Sequence, residues 1–393
     1  MSALGVGVDK FWKSLTAGES GIGPVTLLPR EKLNVGVAAE ASDYDAGDYF
    51  EPKKCALLDR FAQFAIVAAR EALGDSGLDP TQDGLAARTA IVLGSGVGGK
   101  TTDDEAFYRL YGEGQPRVNP TVIPRVMGSS AASQVSIDLS LTGPGFTVSS
   151  ACAAANHAIG QAAMLVQHGV ADAALAGGSE ACITLGTWKA WEALRVLSPE
   201  PCRPFSLGRR GMTLGEGAGF LVLEPLDAAR ARGARIYAEL AGCGMSSDAN
   251  HIVDPSQVGA AQAIESALTD ASLALEQVGY VNAHGTGTKL NDVIETRAIR
   301  QVFGAHADRL GISASKSMHG HALGASGALE AIACALAVQN GVLPPTANFG
   351  DPDPECDLDY LPDGSRQVQI EAALSNSFAF GGLNAVLAFR RAD

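Results

Sequence analysis

Cys152 has the sequence context of a catalytic nucleophile. It stands where the extended segment Phe146–Ser149 gives way to an alanine-rich helical pattern, Ala153–His168. The backbone N–H groups and the dipole of a helix N-terminus favour the thiolate form of a cysteine at such a position. The other six cysteines have no comparable setting, and an unreactive cysteine is most often a small buried apolar residue. We therefore predict that Cys152 is the reactive cysteine of this chain.

Two further motifs contribute histidines. His284 lies in Asn282–Thr288, where a strand pattern ends in a turn of small residues that lets a ligand approach the backbone. The motif Lys316–His321 places a lysine and two histidines within six residues. A lone histidine is commonly structural, but a thiolate that forms a thioester needs nearby donors for the charge that develops in the next step. Together, the cysteine and the two histidine motifs predict an acyl-transfer site.

The elements that would position these residues follow an α/β pattern, in which short apolar runs alternate with longer alanine-rich helical segments. The predicted strands are Thr89–Leu93, Asp172–Ala176 and Gln369–Leu374, and the predicted helices are Asp59–Leu73, Ala153–His168 and Ala325–Gln339. Proline and glycine cluster at 116–124, 199–211 and 344–354, and at the first two of these we expect loops or an inserted cap.

The sequence also contains an internal repeat. The helical pattern that ends in Val166–Val170 matches the one that ends in Val338–Val342. Each pattern follows an extended segment that contains serine, Phe146–Cys152 in the first case and Gly311–Lys316 in the second. This repeat predicts two similar halves with a site where they meet.

Composition excludes several classes of protein. The 393 residues include 29 Lys and Arg against 43 Asp and Glu, a net charge of -14 that disfavours broad binding to nucleic acid or anionic membranes. The seven cysteines are scattered without a CxxC pair, so we expect reduced thiols rather than a disulfide framework or a zinc site. There is no membrane-spanning apolar run and no signal-peptide pattern at the start. These features predict a cytoplasmic protein that binds no metal.

Taken together, the motifs resemble those of the elongating β-ketoacyl-[acyl-carrier-protein] synthases of the thiolase superfamily. The resemblance runs from about Leu4 to Arg391, and its motifs are Ser149–Cys152, Ala176–Gly178, Asn282–Thr288, Lys316–His321 and Asn376–Asn384. The set of Cys152, His284 and His321 separates the elongating synthases from thiolases and from initiating synthases, which have Asn at the last position. Segments 191–197, 202–206 and 344–360 are more similar still to nodulation-type proteobacterial synthases.

The resemblance implies a duplicated five-layer αβαβα architecture. An N-terminal half, residues 1–230, would include inserted cap segments and carry the nucleophile, and a C-terminal half, residues 231–393, would carry both catalytic histidines. It also implies a decarboxylative Claisen condensation. In that reaction Cys152 holds an acyl thioester, and His284 and His321 stabilise the enolate formed from malonyl-acyl carrier protein as carbon dioxide leaves.

The remaining site residues are likewise carried over from the family. The backbone N–H groups of Cys152 and Phe380 would form an oxyanion hole, with Phe380 also acting as a gate. Lys316 and Glu330 would form a supporting charge pair around the histidines. Asp292 and Glu295 fall where the family has acidic residues, although carboxylates are common near a helix start in any case. No cofactor of its own is expected, because phosphopantetheine arrives on the carrier-protein substrate.

The expected partners are an acyl carrier protein and a second copy of this chain. Because acyl carrier proteins are acidic, an acidic synthase needs a local positive rim. The positions that match the family's rim are Arg195, Arg117, Lys53, Lys54 and Arg60, although each of these taken alone fits an ordinary solvated surface charge better.

Two departures from the family stand out. The chain starts after the apolar strand with which the family normally begins, and Ala379 occupies a position of the gating loop that is commonly Gly. We expect the methyl group of Ala379 to restrict the backbone of that loop.

Two alternative functions are less consistent with the sequence. The segment Gly94–Gly99 fits GxGxxG after a strand, as in dinucleotide-binding dehydrogenases, but no second strand ending in an acidic residue follows about 20 residues later. In a synthase this loop would border the acyl pocket, with Val97 a candidate for its floor. A non-catalytic subunit that sets chain length would lack the cysteine, whereas Cys152 is present.

Overall fold

Two β-sheets, one from each half of the chain, form the framework of the protein. The structure is a computed structural model that describes residues 1–392. The helices are α1 Val8–Ala17, α2 Pro52–Cys55, α3 Arg60–Ser76, α4 Leu85–Arg88, α5 Lys100–Phe107, α6 Val122–Val126, α7 Ser130–Leu139, α8 Ala154–Gln167, α9 Leu185–Leu194, α10 Leu226–Ala231, α11 Gln257–Asp270, α12 Lys289–Phe303, α13 Lys316–His319 and α14 Ser326–Asn340. The strands are β1 Gly23–Pro24, β2 Val37–Ala38, β3 Thr89–Gly94, β4 Gly145–Val148, β5 Ala173–Glu180, β6 Gly217–Leu223, β7 Glu239–Ser247, β8 Val278–Asn282, β9 Gly311–Ser313, β10 Val342–Leu343, β11 Arg366–Gln367, β12 Ala372–Phe378 and β13 Leu383–Arg390.

The layers stack as αβαβα, which confirms the predicted architecture. The first sheet has the order β4-β3-β5-β6 and the second the order β7-β13-β12-β8-β9. Helices α8 and α14 pack between the sheets and contact both of them. Helices α3 and α7 cover the outer face of the first sheet, and α11 and α12 pack on the outer side of the second.

Alanine-rich sequence explains why the two central helices fit between the sheets. In α14 twelve of the fifteen residues are buried, and many of them are alanine or glycine. Small side chains let a helix approach the sheets on both of its sides, and the lack of a polar face is the pattern expected of a fully buried helix. The N-termini of α8 and α14 are thereby held at the centre of the molecule.

The internal repeat predicted from the sequence is present in the structure. Helix α8 (Ala154–Gln167) and helix α14 (Ser326–Asn340) occupy equivalent places in the two halves. Each is preceded by a 3-10 turn, Ala151–Ala153 in the first half and Leu323–Ala325 in the second. The first residue of each turn has a positive φ, +49° at Ala151 and +43° at Leu323. The two halves therefore use the same strained entry into their central helix.

Some predicted boundaries differ from the structure. Strand β12 starts at Ala372, three residues after the predicted Gln369, because the preceding segment is held elsewhere: the Val368 N–H donates to the Gly341 carbonyl at 2.9 Å.

The first sheet has four strands against five in the second. Met1 lies beside β6, an edge strand of the first sheet, and its amine donates to the Ala218 carbonyl at 2.9 Å. Within residues 1–392, no helix is both long and apolar enough to cross a bilayer.

Candidate active site

Cys152 lies on the strained turn between β4 and α8, at the centre of the molecule. Its side chain is buried, with 6% of its surface exposed. Burial raises the pKa of the Cys152 thiol to about 11, and this outweighs the opposing effects of the Lys316 ammonium and the Phe380 N–H. At neutral pH the resting group is therefore a thiol, and a base must take its proton when it reacts.

His321 is placed to serve as that base. Its Nε2 lies 3.0 Å from the Cys152 sulfur, and its Nδ1 lies 2.8 Å from the Ser326 hydroxyl. Burial, with Lys316 nearby, lowers the pKa of His321 well below its usual value, so the ring is neutral at pH 7. Because a hydroxyl can donate or accept, Ser326 supports a ring proton on either nitrogen of His321. The same Nε2 can therefore accept a proton in one step and donate in another.

Lys316 fixes the tautomer of His284. The Lys316 Nζ lies 3.3 Å from Nδ1 of His284, donates to the His284 carbonyl at 2.7 Å and forms a buried ion pair with Glu330. An ammonium group has only donors, so Nδ1 must accept and the ring proton of neutral His284 lies on Nε2. Burial and the Lys316 charge lower the pKa of His284 well below its usual value. His284 is therefore a neutral N–H donor, with its ring centroid 5.5 Å from that of His321.

Asp292 and Glu295 hold the backbone of the His284 turn. Glu295 accepts from the N–H of His284 at 2.7 Å and from that of Gly285 at 2.8 Å. Asp292 accepts from the N–H of Gly287 at 3.2 Å and from that of Phe205 at 2.8 Å. Burial raises the pKa of Asp292 to about 6. Both carboxylates are buried supports of the turn rather than exposed charges at a helix start.

A cavity of about 220 Å³ opens onto these groups. Cys152, His284 and His321 line its inner end, and the segment 378–382 forms one wall. The ring of Phe380 stacks on that of Trp191, with centroids 5.9 Å apart. In this loop Gly381 and Gly382 have φ of +87° and +71°, whereas the Ala379 φ is not positive. The expected restriction by the Ala379 methyl is therefore not seen in this conformation, because the left-handed positions are occupied by glycine.

Of the five cations predicted to contact the carrier protein, three are exposed and two are paired with carboxylates. Arg195 ends α9, and its neighbours Leu194 and Val196 line the cavity, so it lies near the mouth. Arg117 and Lys53 are exposed. Lys54 pairs with Asp138. Arg60 does not suit a carrier-protein contact, because its guanidinium is held by Glu216 at 2.6 and 2.9 Å and packs over two aromatic rings.

Val97, like Trp191, packs against the apolar cluster that contains Cys152. It is not among the residues that line the cavity described above. Its role as the floor of an acyl pocket stays a prediction. The sequence reasoning missed Ser326 and Trp191. Ser326 could have been found from its position at the start of the second repeat's helix, and Trp191 from its place one turn before Arg195. In the described chain, 1–392, no group of three or more His, Cys, Asp or Glu side chains could hold a metal ion.

Two family models and two curated proteins similar to this chain agree in the family they indicate. The beta-ketoacyl synthase N-terminal domain matches residues 1–229, and the corresponding C-terminal domain matches residues 237–350. Nodulation protein E of Rhizobium sp. (strain N33) is 46% identical over 391 residues, covering 100% of this chain and 97% of that protein. The 3-oxoacyl-[acyl-carrier-protein] synthase 2 of Staphylococcus aureus (strain N315) is 42% identical over 398 residues, covering 100% of this chain and 96% of that protein.

Among solved structures, a type II polyketide synthase complex shares the fold. It is described as AntDE:AntF, an acyl-carrier protein in complex with its ketosynthase bound to the hexaketide. It matches with a TM-score of 0.90 and 32% identity, covering 100% of this chain and 97% of that chain.

Proposed function

The chain belongs to the β-ketoacyl synthase family, and from that premise we propose what each residue of the site does. The chain is an acyltransferase of the 3-oxoacyl-[acyl-carrier-protein] synthase type, which joins an acyl thioester to malonyl-acyl carrier protein with loss of carbon dioxide. The observation that carries the assignment of roles is the 3.0 Å contact between the Cys152 sulfur and His321 Nε2, beside His284.

Acylation of Cys152 is the first step. His321 Nε2 accepts the thiol proton while the sulfur attacks the thioester carbonyl of the incoming acyl chain. A carbon–sulfur bond to Cys152 forms, and the bond to the pantetheine sulfur breaks. The proton on His321 then passes to the departing pantetheine thiolate. The site thereby returns to a neutral imidazole, without any resident cofactor.

Decarboxylation of the malonyl group is the second step. The carbon–carbon bond to the carboxylate breaks, carbon dioxide leaves, and the electron pair becomes an enolate on the thioester oxygen. Two neutral N–H donors, Nε2 of His284 and Nε2 of His321, stabilise that oxygen. The low pKa values of both rings mean that neither needs to lose a proton before it binds a neutral carbonyl.

Condensation completes the cycle. The enolate carbon attacks the acyl carbonyl on Cys152, and the oxygen of the tetrahedral intermediate accepts from the backbone N–H groups of Cys152 and Phe380. Support for this role of Phe380 comes from its N–H, which acts to lower the pKa of the Cys152 thiol and so favours negative charge at that position. The carbon–sulfur bond then breaks and releases 3-oxoacyl-acyl carrier protein, and the Cys152 thiolate takes up a proton from solvent, which the overall reaction consumes.

Mass spectrometry of the protein incubated with a series of acyl carrier proteins tests this function. The expected result is an acyl adduct on Cys152, followed by a 3-oxoacyl product two carbons longer once malonyl-acyl carrier protein is added. An unlabelled Cys152 with every chain length would contradict the function. The same series reports the chain length that the pocket prefers.

The carrier protein docks, in our proposal, on the rim that contains Arg195. Arg195→Glu is expected to raise the KM for acyl carrier protein by about 10-fold with little change in kcat, because like charge opposes docking but leaves the buried site intact. Turnover of a small acyl-pantetheine thioester should not change. Arg88→Glu is a matched control, since Arg88 immediately precedes β3, away from the strand ends that carry the site. Equal effects of both variants would contradict the assignment.

A homodimer is the proposed assembly. Strand β4 is an open edge of the first sheet, and nine of the exposed large apolar side chains lie between Phe107 and Met164. The Pro144 and Val148 carbonyls accept from the N–H groups of Ile91 and Ser95 in and beside β3, which leaves the Thr147 N–H at the free edge. An open edge next to apolar surface favours strand pairing with a second copy.

Thr147→Pro removes that edge N–H while sparing the bonds to β3. Light scattering is expected to give about twice the chain mass of 40.3 kDa for the parent and the single-chain mass for the variant. A variant that remains dimeric with unchanged circular dichroism would place the interface elsewhere.

A cytosolic location is also proposed, and it is supported by seven cysteines that are all free thiols.

A further inference from the structure

Glu180 is a buried carboxylate that the reaction described above does not use. It ends strand β5 and has no exposed surface. Its Oε2 accepts from the N–H of Gly96 at 2.6 Å and from that of Gly324 at 3.0 Å. Its Oε1 accepts from the Ser95 hydroxyl at 3.0 Å and lies 3.3 Å from the Val97 nitrogen. One side chain therefore holds two turns that come from different halves of the chain.

The two turns carry different parts of the site. The first, residues 95–97, contains Val97, which packs in the apolar cluster around Cys152. The second, residues 322–325, directly follows His321 and contains Leu323 of the same cluster. The turns are in backbone contact, since a Cβ added at Gly324 would lie 2.3 Å from the Gly96 nitrogen. A displacement of one turn is therefore passed to the other.

Among the described residues, the contacts of Glu180 include no cation. No ion pair within residues 1–392 includes Glu180, so its charge is held only by neutral donors from the two turns. Burial raises the pKa of Glu180 to about 7, and the N–H groups of Gly96 and Gly324 oppose that rise. A buried carboxylate without a cation is costly. If position 180 only had to fill space, an apolar residue would do so without that cost.

We propose that Glu180 is a positioning residue that ties the turn after His321 to the turn at residues 95–97, and so sets the place of His321 relative to Cys152. This role rests on the proposed function of His321. Its consequence is that the packing of Val97 beside the Cys152 cluster and the position of the His321 donor are coupled through one carboxylate.

Glu180→Gln tests the proposal with almost no change in volume. The amide can present only one oxygen to the two turns, and its NH₂ group then faces N–H donors. We expect kcat for malonyl-acyl carrier protein decarboxylation to fall about 10- to 100-fold, because small misplacements of a catalytic group have effects of this size. The KM for malonyl-acyl carrier protein should stay within about twofold, since the docking surface is unchanged.

Asp59→Asn is the matched control. Asp59 is also a buried carboxylate that accepts from backbone N–H groups and a hydroxyl, those of Phe61, Thr102 and Thr101. It does not contact the turn that follows His321. If both variants lose the same kcat, or if Glu180→Gln keeps the parental kcat, the positioning role is wrong.

Ser95→Ala keeps the test decisive if Glu180→Gln does not fold. It removes one of the donors to Glu180 and should lower kcat about 2- to 10-fold with KM unchanged, and a parental kcat would overturn the proposal. The parent protein separates this result from the proposed function. A parent that neither decarboxylates malonyl-acyl carrier protein nor condenses it would refute the function, whereas an active parent with equally active variants would refute only the role of Glu180.

Discussion

Replacing Cys152 by serine is expected to reduce condensation to below about one-thousandth of the parental rate. Burial already raises the pKa of the Cys152 thiol to about 11, and a serine hydroxyl at the same place is a far weaker acid. The neutral base beside it, His321 Nε2 at 3.0 Å, is too weak to generate an alkoxide at a useful rate. The measurement is the formation of 3-oxoacyl product from acyl and malonyl carrier proteins.

Cys152→Gln separates the two chemical steps. The glutamine amide can imitate an acylated thiol, with its carbonyl oxygen facing the backbone N–H of Phe380. Malonyl decarboxylation should therefore continue, because His284 and His321 are still present, while condensation is absent for lack of an acyl group to attack. Acetyl-acyl carrier protein is the product to measure. A variant at position 152 that still condenses would refute the role of Cys152, and a circular dichroism spectrum equal to that of the parent shows that the fold is retained.

The histidine variants should have the second largest effect. His284→Ala and His321→Ala are each expected to lower malonyl decarboxylation by about 10²-fold or more, the usual loss on removal of one donor to a developing oxyanion. The two should differ in acylation. His321 touches the Cys152 sulfur and His284 does not, so acylation should slow in His321→Ala and change little in His284→Ala.

Stopped-flow acylation and a decarboxylation assay on the same preparations measure this difference. His306→Ala is the control, because His306 contacts the Val278 carbonyl at 2.9 Å and lies outside the site. Parental decarboxylation in either catalytic-histidine variant would show that the enolate is stabilised by other groups. Equal slowing of acylation in both would argue against His321 as the base.

Much of the fold could be predicted from the sequence, because the local patterns are strong. The segments that form α8 and α14 are rich in alanine, and their recurrence along the chain indicated two halves. The motif around Cys152 also has a local signature, a strand followed by a helix. The predicted segment Gln369–Leu374 only overlaps β12, because pairing with a distant segment sets where that strand begins.

The partners within the site were beyond the reach of local patterns. Arg60 looks like an exposed cation in sequence, and the carboxylate that captures it, Glu216, is 156 residues away. The tautomer of His284 depends on a lysine 32 residues further along. Glu180 is the last residue of strand β5 and shows no motif of its own, so only the three-dimensional contacts reveal what it holds. The resemblance to a known family predicted which residues meet in the site. The contacts in the structure show which ring nitrogen of each histidine can donate or accept a proton.

The repeat also explains why a molecule with two equivalent halves has one nucleophile. Cys152 is the middle residue of the turn before α8, and Gly324 is the middle residue of the equivalent turn before α14. There the absence of a side chain is what lets the two turns meet, because a Cβ would lie 2.3 Å from the Gly96 nitrogen. In terms of protein engineering, a second cysteine cannot be introduced by symmetry without forcing the halves apart. Only one of the two equivalent turns can therefore carry a side chain at its middle residue, and that side chain is the nucleophile.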